Sequence, residues 1–167
     1  KNVKEKKLIK QFEETKEKSR LFASSKLVKA DYEADKDLMI AYYNTLGFRD
    51  ARVIKDSIWR NEDGELMIDI AIHEGNRYFF RNMTWKGNSI YDDATLAKVL
   101  GILKGDVYDN ELLQTRLQFD QGGRDVSTLY MDNGYLFFNI EPVEVAVVGD
   151  SIDLEFRISK ILKNEFS

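Results

Sequence analysis

Carboxylate side chains are the groups in this sequence that come nearest to a chemically active set. They fall in three places: Asp31, Glu33, Asp35 and Asp37 in one cluster, the pair Asp92–Asp93, and Asp150. Clustered carboxylates could bind a divalent cation or supply the acid and base of a hydrolase. None of the three follows the Asp-x-Asp-x-Asp-Gly spacing of a calcium loop, and all lie where a helix or turn should begin. We interpret them as helix caps and solvated residues.

His73 is the only histidine, and the sequence contains no cysteine. A protein zinc site is usually built from several such ligands, so His73 has no second one to share a metal with. In a strand it would point to the face opposite Ile70 and Ile72, so we expect it to be exposed. We therefore predict no catalytic residue, no metal ligand and no cofactor.

Glycine pairs in the sequence do not form a phosphate-binding loop. Gly87-Asn88 and Gly122-Gly123 lack the G-K-[ST] and G-x-G-x-x-G patterns, and there is no G-x-S-x-G nucleophile elbow. Residues 1–29 carry a net charge of +6 and the remainder carries −10. The acidic main part should repel phosphate, so we predict no nucleic-acid partner. We interpret the basic opening as a solvated helix face, although such a helix can also contact an acidic partner or a membrane surface.

The first half of the chain predicts two helices followed by two strands. Apolar residues at helical spacing predict a helix with a thin apolar stripe over residues 4–22. Asp31 is placed to cap a second helix, which Gly47 should end. Alternating apolar residues then predict strands over 51–60 and 66–72, joined by a turn.

The second half predicts a strand, two helices and two further strands. In order these are a strand at 77–85, a helix capped by Asp92 or Asp93 and ended by Gly105, a helix from Asp109 to Gly134, and strands at 135–148 and 152–158. The aromatic residues Tyr78, Phe79, Phe80 and Trp85 could line a ligand pocket. They are more typical of a core between a sheet and its helices.

A short pattern occurs once in each half: Tyr43, Gly47, Phe48 and then Tyr130, Gly134, Tyr135. We expect each glycine to end a helix in a left-handed conformation, and each tyrosine, one turn earlier, to face the core. The repeat predicts two small α+β domains, each a short sheet backed by two helices. The expected bounds are 1–76, whose opening strand is missing, and 77–160, which leaves 161–167 as a tail or the start of another unit.

The single proline, Pro142, falls inside the long apolar strand predicted at 135–148. Proline cannot donate to a β-ladder, so we expect this strand at a sheet edge, with strand 152–158 as its better-paired neighbour. An exposed edge can accept an extended peptide by strand addition. Equally, Pro142 with Glu141 and Glu144 could simply protect the edge against aggregation. The residues alone leave both interpretations open.

Several segments together resemble POTRA (polypeptide-transport-associated) domains, and more specifically the periplasmic part of BamA-type outer-membrane assembly factors. They are "YYNTLGF", "YMDNGYLF", "VYDNELL", "WKGNSIY" and "IHEGNRYFFRNMTWKGN". In that family a helix ends in Tyr, three residues, Gly and an aromatic. A final strand ends in Glu-Gly, as at Glu74-Gly75, and the next domain begins with a strand and a Gly-Asn turn, as at Gly87-Asn88. The resemblance covers residues 31–160, but "SKILKNEFS" replaces the second Glu-Gly.

The resemblance implies an α+β fold of two tandem β-α-α-β-β domains, each a three-stranded mixed sheet packed on two helices. It implies a non-enzymatic periplasmic module that assists folding and insertion of outer-membrane β-barrel proteins. Its partners would be unfolded outer-membrane proteins and accessory lipoproteins. It favours peptide binding at the edge strand, through Leu136, Phe137, Phe138, Asn139, Ile140, Glu141, Val143 and Val145. Gly75, Asn76 and Arg77 would form the hinge between the domains.

Other assignments remain open at this stage. The family carries a C-terminal membrane barrel that this sequence lacks, so we expect the chain to be part of a longer, membrane-anchored protein. A POTRA domain of a two-partner secretion transporter or of a cell-division protein would be similar. A structural spacer would also fit, and a small cation-dependent hydrolase is the alternative from another class.

Overall fold

The computed structural model describes residues 2–15, 27–135 and 137–161. The chain divides into two compact units, with the boundary between Asn76 and Arg77. No helix among the described residues is long and apolar enough to cross a membrane.

The first unit contains two helices and a two-stranded antiparallel sheet. The helices are α1 (Glu5–Ile9) and α2 (Lys29–Thr45), and the strands are β1 (Arg52–Arg60) and β2 (Leu66–His73). One face of β2 carries half-buried Ile70 and Ile72, which pack on a core of Val3, Leu8, Met39, Tyr43, Phe48 and Ala51.

The helix predicted at 4–22 is wrong after Ile9, and the part from residue 16 to 22 lies outside the described residues. The backbone N–H groups of Glu13, Glu14 and Thr15 donate to the buried carboxylate of Asp35, so they cannot make helical hydrogen bonds. The prediction that Asp31 caps α2 is also wrong. The helix begins at Lys29, Val28 stands at the N-cap without a side-chain hydrogen bond, and Asp31 lies in the first turn.

The second unit contains a three-stranded sheet in the order β3-β5-β4. Its elements are β3 (Phe79–Lys86), α3 (Asp93–Leu100), α4 (Asn110–Gln114), a π-helical segment (Thr115–Phe119), α5 (Val126–Met131), β4 (Phe137–Val148) and β5 (Ser151–Ile161). The central strand β5 pairs in parallel with β3 and antiparallel with β4. Asp92 and Asp109 cap α3 and α4 as predicted, because their side chains accept hydrogen bonds from Thr95 and Leu112.

Two helix predictions in this unit are wrong, one at a helix end and one within a helix. Helix α3 stops at Leu100, where Gly101 adopts φ +64°, and not at Gly105. The single helix predicted from Asp109 to Gly134 is interrupted once, between the π-helical segment that continues α4 and the start of α5 at Val126. It is broken because Gly123 takes φ +65° and the side chain of Asp125 caps a new helix by accepting from the Thr128 N–H.

The core of the second unit lies between the sheet and its helices. Phe80 and Trp85 of β3 are buried there together with Phe156 of β5, so these aromatic residues form a core and not a ligand pocket. The other fully buried members are Leu96, Leu100, Leu113, Leu117, Val126, Tyr130, Ile140 and Ile152. Burying such side chains is the main source of stability in a small domain.

The repeated Tyr-x-x-x-Gly-aromatic pattern forms the same helix end in both units. The Phe48 N–H donates to the Tyr43 carbonyl at 3.0 Å, and the Tyr135 N–H donates to the Tyr130 carbonyl at 3.3 Å. Gly47 at φ +90° and Gly134 at φ +88° make this reversal possible, since other residues rarely adopt that conformation. Both tyrosines are fully buried, and in each unit the tyrosine ring packs edge-on against the following aromatic ring, with 5.9 Å between centroids.

Candidate strand-binding edge

Strand β4 occupies an edge of the second unit's sheet, because the strand order is β3-β5-β4. The edge position predicted from Pro142 is therefore confirmed. All but one of the predicted binding residues lie on this strand; Leu136 lies outside the described residues. Val145 forms a bulge, since the register with β5 shifts between Glu144 and Ala146.

The direction of the backbone N–H and C=O groups in β5 shows whether each of its residues makes its ladder hydrogen bonds with β3 or with β4. The Leu154 carbonyl accepts a hydrogen bond from the hydroxyl of Thr84, which belongs to β3. The Ile158 carbonyl lies against Gly87, directly after β3. Backbone groups alternate in direction along a strand, so even-numbered residues of β5 face β3 and odd-numbered residues face β4.

The same alternation identifies the groups on the open edge of β4. Ile140 and Pro142 are paired with Ile158 and Phe156, which face β3. Ile140 and Pro142 therefore form the non-hydrogen-bonded pairs of the ladder, and they direct their backbone groups away from β5, as does Phe138. Pro142 costs the sheet no ladder bond, because its missing N–H would have faced the open edge.

One of these outward groups already has a partner from the helical layer. The side-chain Nε2 of Gln118 donates to the Ile140 carbonyl at 2.7 Å. Gln118 lies in the π-helical segment, next to fully buried Leu117. Sequence reasoning missed this contact because nothing in the spacing predicts a π-helical segment or its reach to β4.

The side chains of β4 differ on its two faces. Ile140 is buried, and Phe138 stacks on Tyr130 with 4.4 Å between ring centroids. On either side of Phe138 and Ile140 along the strand, β4 exposes four apolar side chains: Phe137 before them and Val145, Val147 and Val148 after them. Exposed apolar residues beside an open edge are features that a strand-accepting surface needs.

The opposite edge of the same sheet is partly covered. The Phe80 N–H donates to the Asp106 carbonyl at 2.9 Å, and the Phe80 carbonyl accepts from the Gly105 N–H at 2.7 Å. The Tyr108 N–H donates to the Tyr78 carbonyl at 2.9 Å. The loop after α3 thus acts as a short added strand and occupies the first half of the β3 edge.

Ionic hydrogen bonds hold β5 to β3 on the sheet face opposite the helices. Arg81 Nε donates to Asp153 at 2.7 Å across a bulge in the pairing, and this hydrogen bond lowers the pKa of the Asp153 carboxyl. Glu155 accepts from Lys86 of β3 at 2.7 Å and, within β5, from Arg157 at 2.9 Å, and these two bonds lower the pKa of Glu155. The central strand is therefore fixed, and β4 is supported along one side.

Strand β1 of the first unit forms a second edge that sequence reasoning did not select. The Asn61 N–H donates to the Glu65 carbonyl at 3.0 Å, which sets the alternation in the hairpin. Asp56, Ile58 and Arg60 accordingly direct their backbone groups away from β2. All three are residues other than proline, so each keeps the backbone N–H that Pro142 of β4 lacks. Exposed Ile54, Ile58 and Trp59 lie along this strand.

The side chain of Asp56 is held by the helix behind it. Its Oδ2 accepts from the Tyr32 hydroxyl at 3.0 Å and from Lys36 at 2.8 Å. The hydrogen bond from Lys36, followed by that from Tyr32, lowers the pKa of Asp56. Burial and then the hydrogen bond to Asp56 raise the pKa of Tyr32 to about 12. This contact braces the middle of β1 against α2.

The predicted hinge residues Gly75, Asn76 and Arg77 lie at the boundary between the two compact units. Gly75 has φ +71°, and an added Cβ would stand 3.0 Å from that of Asp50. Just before it, the carboxylate of Glu74 accepts from the Tyr43 hydroxyl at 2.9 Å and from the Asn2 N–H at 2.8 Å. The end of β2 is thereby tied to α2 and to the start of the chain.

We expect Tyr43→Phe to lower the free energy of unfolding of the first unit by about 1–2 kcal/mol, because it removes only the hydrogen bond to the charged Glu74. Burial and then this hydrogen bond raise the pKa of Tyr43, so the hydroxyl stays protonated as the donor. Amide hydrogen exchange in β2 measures the effect. Tyr42→Phe removes a hydroxyl one position earlier and is the control. An equal loss of stability in the two variants would contradict a stabilising role for the Tyr43–Glu74 hydrogen bond.

The residues considered first for chemistry do not come together. His73 is exposed at the end of β2, as predicted. No group of three or more His, Asp or Glu residues that could hold a metal ion occurs in the part of the chain that the structure describes. Asp35 is buried and binds backbone N–H groups, so its interpretation as a solvated residue was wrong.

The second unit is a β-α-α-β-β domain with its last strand in the middle of a mixed sheet, which defines a class of small α+β domain. Residues 78–160 match the family model of the POTRA domain, described as surface antigen variable number repeat. This part of the chain belongs to the POTRA family.

Similarity extends over most of the chain. A curated protein of Treponema pallidum (strain Nichols), named as an outer membrane protein assembly factor, is 26% identical over 108 residues; the match covers 62% of this chain and 12% of that protein. The structure of Haemophilus influenzae BamA POTRA3-5 is 18% identical with a TM-score of 0.59, over 95% of this chain and 61% of that one. BamA from Haemophilus ducreyi lacking POTRA domains 1-3 is 17% identical with a TM-score of 0.58, over 85% and 25%. The fold is that of tandem POTRA domains, as predicted.

Proposed function

We propose that this chain is a non-enzymatic, periplasmic module of an outer-membrane protein assembly factor, and that it binds unfolded outer-membrane proteins by transient strand addition. The POTRA family match and the similarity to an assembly factor support the setting. The observation that carries the binding mode is the edge position of β4. The backbone groups of Phe138, Ile140 and Pro142 point away from β5 at this edge.

Strand addition suits a partner whose sequence varies. Backbone hydrogen bonds along β4 supply affinity without requiring particular side chains, while exposed Phe137 and Val145 offer apolar contacts along the strand. Clients must be released for insertion, so weak binding is expected. The proposed contact residues are those predicted from the sequence: Leu136, Phe137, Phe138, Asn139, Ile140, Glu141, Val143 and Val145. Accessory lipoproteins are the proposed second class of partner.

The joint at Gly75, Asn76 and Arg77 is proposed as a hinge that directs the client between successive domains. It lies between two units that each have their own core. A linker this short restricts domain motion more than a flexible tether would.

The test is a titration of the whole chain, isotope-labelled, with a synthetic peptide of about ten residues that alternates apolar and polar side chains, the pattern of a membrane strand. We expect amide shifts concentrated in Phe137–Val145 of β4, measured by two-dimensional NMR. A scrambled peptide with the same composition but no alternation is the control. Shifts confined to other surfaces, with none in β4, would remove the proposed site.

A further inference from the structure

We propose that Gln118 is a self-capping residue of the β4 edge: its side-chain amide occupies the acceptor that an added strand would use, and so limits how much of the edge a client can pair with. This inference rests on the proposed strand addition and describes how that site is regulated.

The contact reproduces the hydrogen bond of an added strand. Gln118 Nε2 lies 2.7 Å from the Ile140 oxygen, within the normal range for an amide donor. That oxygen faces the open edge, as the pairing of Ile140 with Ile158 requires. The amide nitrogen of glutamine donates as a backbone N–H does, so it competes with the N–H of an added strand for this oxygen.

The fold holds Gln118 in place by local structure on both sides. Leu117 is fully buried in the core, and Gln118 follows it in the π-helical segment. That segment ends at Phe119, and the N–H of the next residue, Asp120, donates to the Asp125 carboxylate. A π-helical segment inserts an extra residue per turn and re-aims the side chains that follow, and such segments are often found at functional sites. Here it directs an amide from the helical layer onto a strand edge.

Gln118 and Pro142 together interrupt the open edge at two successive outward positions. The Ile140 carbonyl is occupied, and Pro142 has no N–H to offer. A client strand can pair beside Phe138 and with the Ile140 N–H, but it must displace Gln118 to continue along the strand. The outward residues Asp56, Ile58 and Arg60 of the β1 edge include no proline, which makes this edge an internal reference.

The test uses two substitutions in the whole chain. Gln118→Leu keeps the volume and removes the donor, while Gln118→Asn stays polar but is one methylene too short to reach. We expect both to bind the alternating peptide at β4 about fivefold more tightly, the factor that corresponds to one hydrogen bond no longer displaced. Shifts in β1 should not change. Gln114→Leu, the same change one turn earlier on α4, is the matched control.

A second measurement follows the capping contact itself. In the wild-type chain the side-chain amide resonance of Gln118 should move toward the value of a solvated amide as the peptide is added. Unchanged or weaker β4 affinity in both variants would overturn self-capping and leave strand addition intact. Absence of β4 binding in the wild type and in both variants would defeat both proposals. Binding that is detectable in the variants alone would support the cap.

Discussion

Gly87→Ala is expected to lower the free energy of unfolding of the second unit by about 3 kcal/mol or more. Two effects combine at this position. Gly87 has φ +82°, a conformation that costs an alanine about 1–2 kcal/mol. A Cβ there would also stand only 2.2 Å from the carbonyl oxygen of Ile158. This oxygen belongs to the backbone of the central strand, so the strand itself must shift.

Gly149→Ala separates the two effects. Gly149 joins β4 to β5 with φ +64°, and a Cβ there would meet nothing within 4 Å. Its substitution should therefore show the conformational cost alone, about 1–2 kcal/mol. Urea unfolding followed by NMR amide signals in β3, β4 and β5 measures both variants. Losses of similar size in the two variants would show that the contact with Ile158 is unimportant.

The Gly87 contact also bears on the proposed binding edge. Strand β5 is held to β3 by their parallel pairing and by the Arg81–Asp153 pair, and β4 is paired with β5 along one side. A shift of β5 would change the direction of the outward groups on β4. We therefore expect Gly87→Ala to weaken peptide binding at β4 while leaving the first unit unchanged.

Local signals in the sequence predicted the elements and the edge. The Tyr-x-x-x-Gly-aromatic pattern specified both helix ends, because a left-handed residue at the end of a helix has few alternatives to glycine. Asp92 and Asp109 specified the starts of two helices. The alternation of apolar and polar residues in β2 predicted that His73 is exposed to solvent. The single proline identified β4 as an edge strand, since a central strand would have lost a ladder bond there.

Contacts between distant segments explain what the sequence did not reveal. Periodicity favoured a long first helix, but Asp35, twenty or more residues later, takes the N–H groups that would have continued it. The contact from Gln118 to Ile140 likewise spans 22 residues and depends on a π-helical segment without a sequence signature. The β1 edge was overlooked because no proline distinguishes it, although the register directs the backbone groups of Asp56, Ile58 and Arg60 away from β2.

The β4 edge and the β1 edge both direct backbone groups away from their sheets, but Pro142 and Gln118 limit hydrogen bonding along β4. On β4 the two interpretations of the sequence, peptide binding and edge protection, are compatible: Pro142 and Gln118 block part of an edge whose ends remain exposed. Natural edge strands are often protected in this way against uncontrolled pairing. Partial protection fits a site that must bind extended chains weakly and then release them.

Asp35→Asn is expected to lower the free energy of unfolding of the first unit by about 3 kcal/mol. The carboxylate of Asp35 is fully buried and accepts from Glu13 at 2.7 Å, Glu14 at 3.2 Å and Thr15 at 2.6 Å. An asparagine turns one acceptor oxygen into an amide donor that faces backbone donors, so buried N–H groups lose their partner. Asp37→Asn, an exposed change on the same helix, is the control.

The same site predicts a dependence on pH. Burial alone would raise the pKa of Asp35, but the hydrogen bonds from Thr15, Glu13 and Glu14 outweigh it and lower the pKa below its ordinary value. The stabilisation is therefore complete above the unfolded-state pKa of about 3.9 and is lost as the pH falls through the lower folded-state value. Amide exchange of the first unit between neutral and acidic pH should show this loss in the wild type and not in Asp35→Asn. An identical acid response in both proteins would mean that other carboxylates, Glu74 foremost, control the acid stability of this unit.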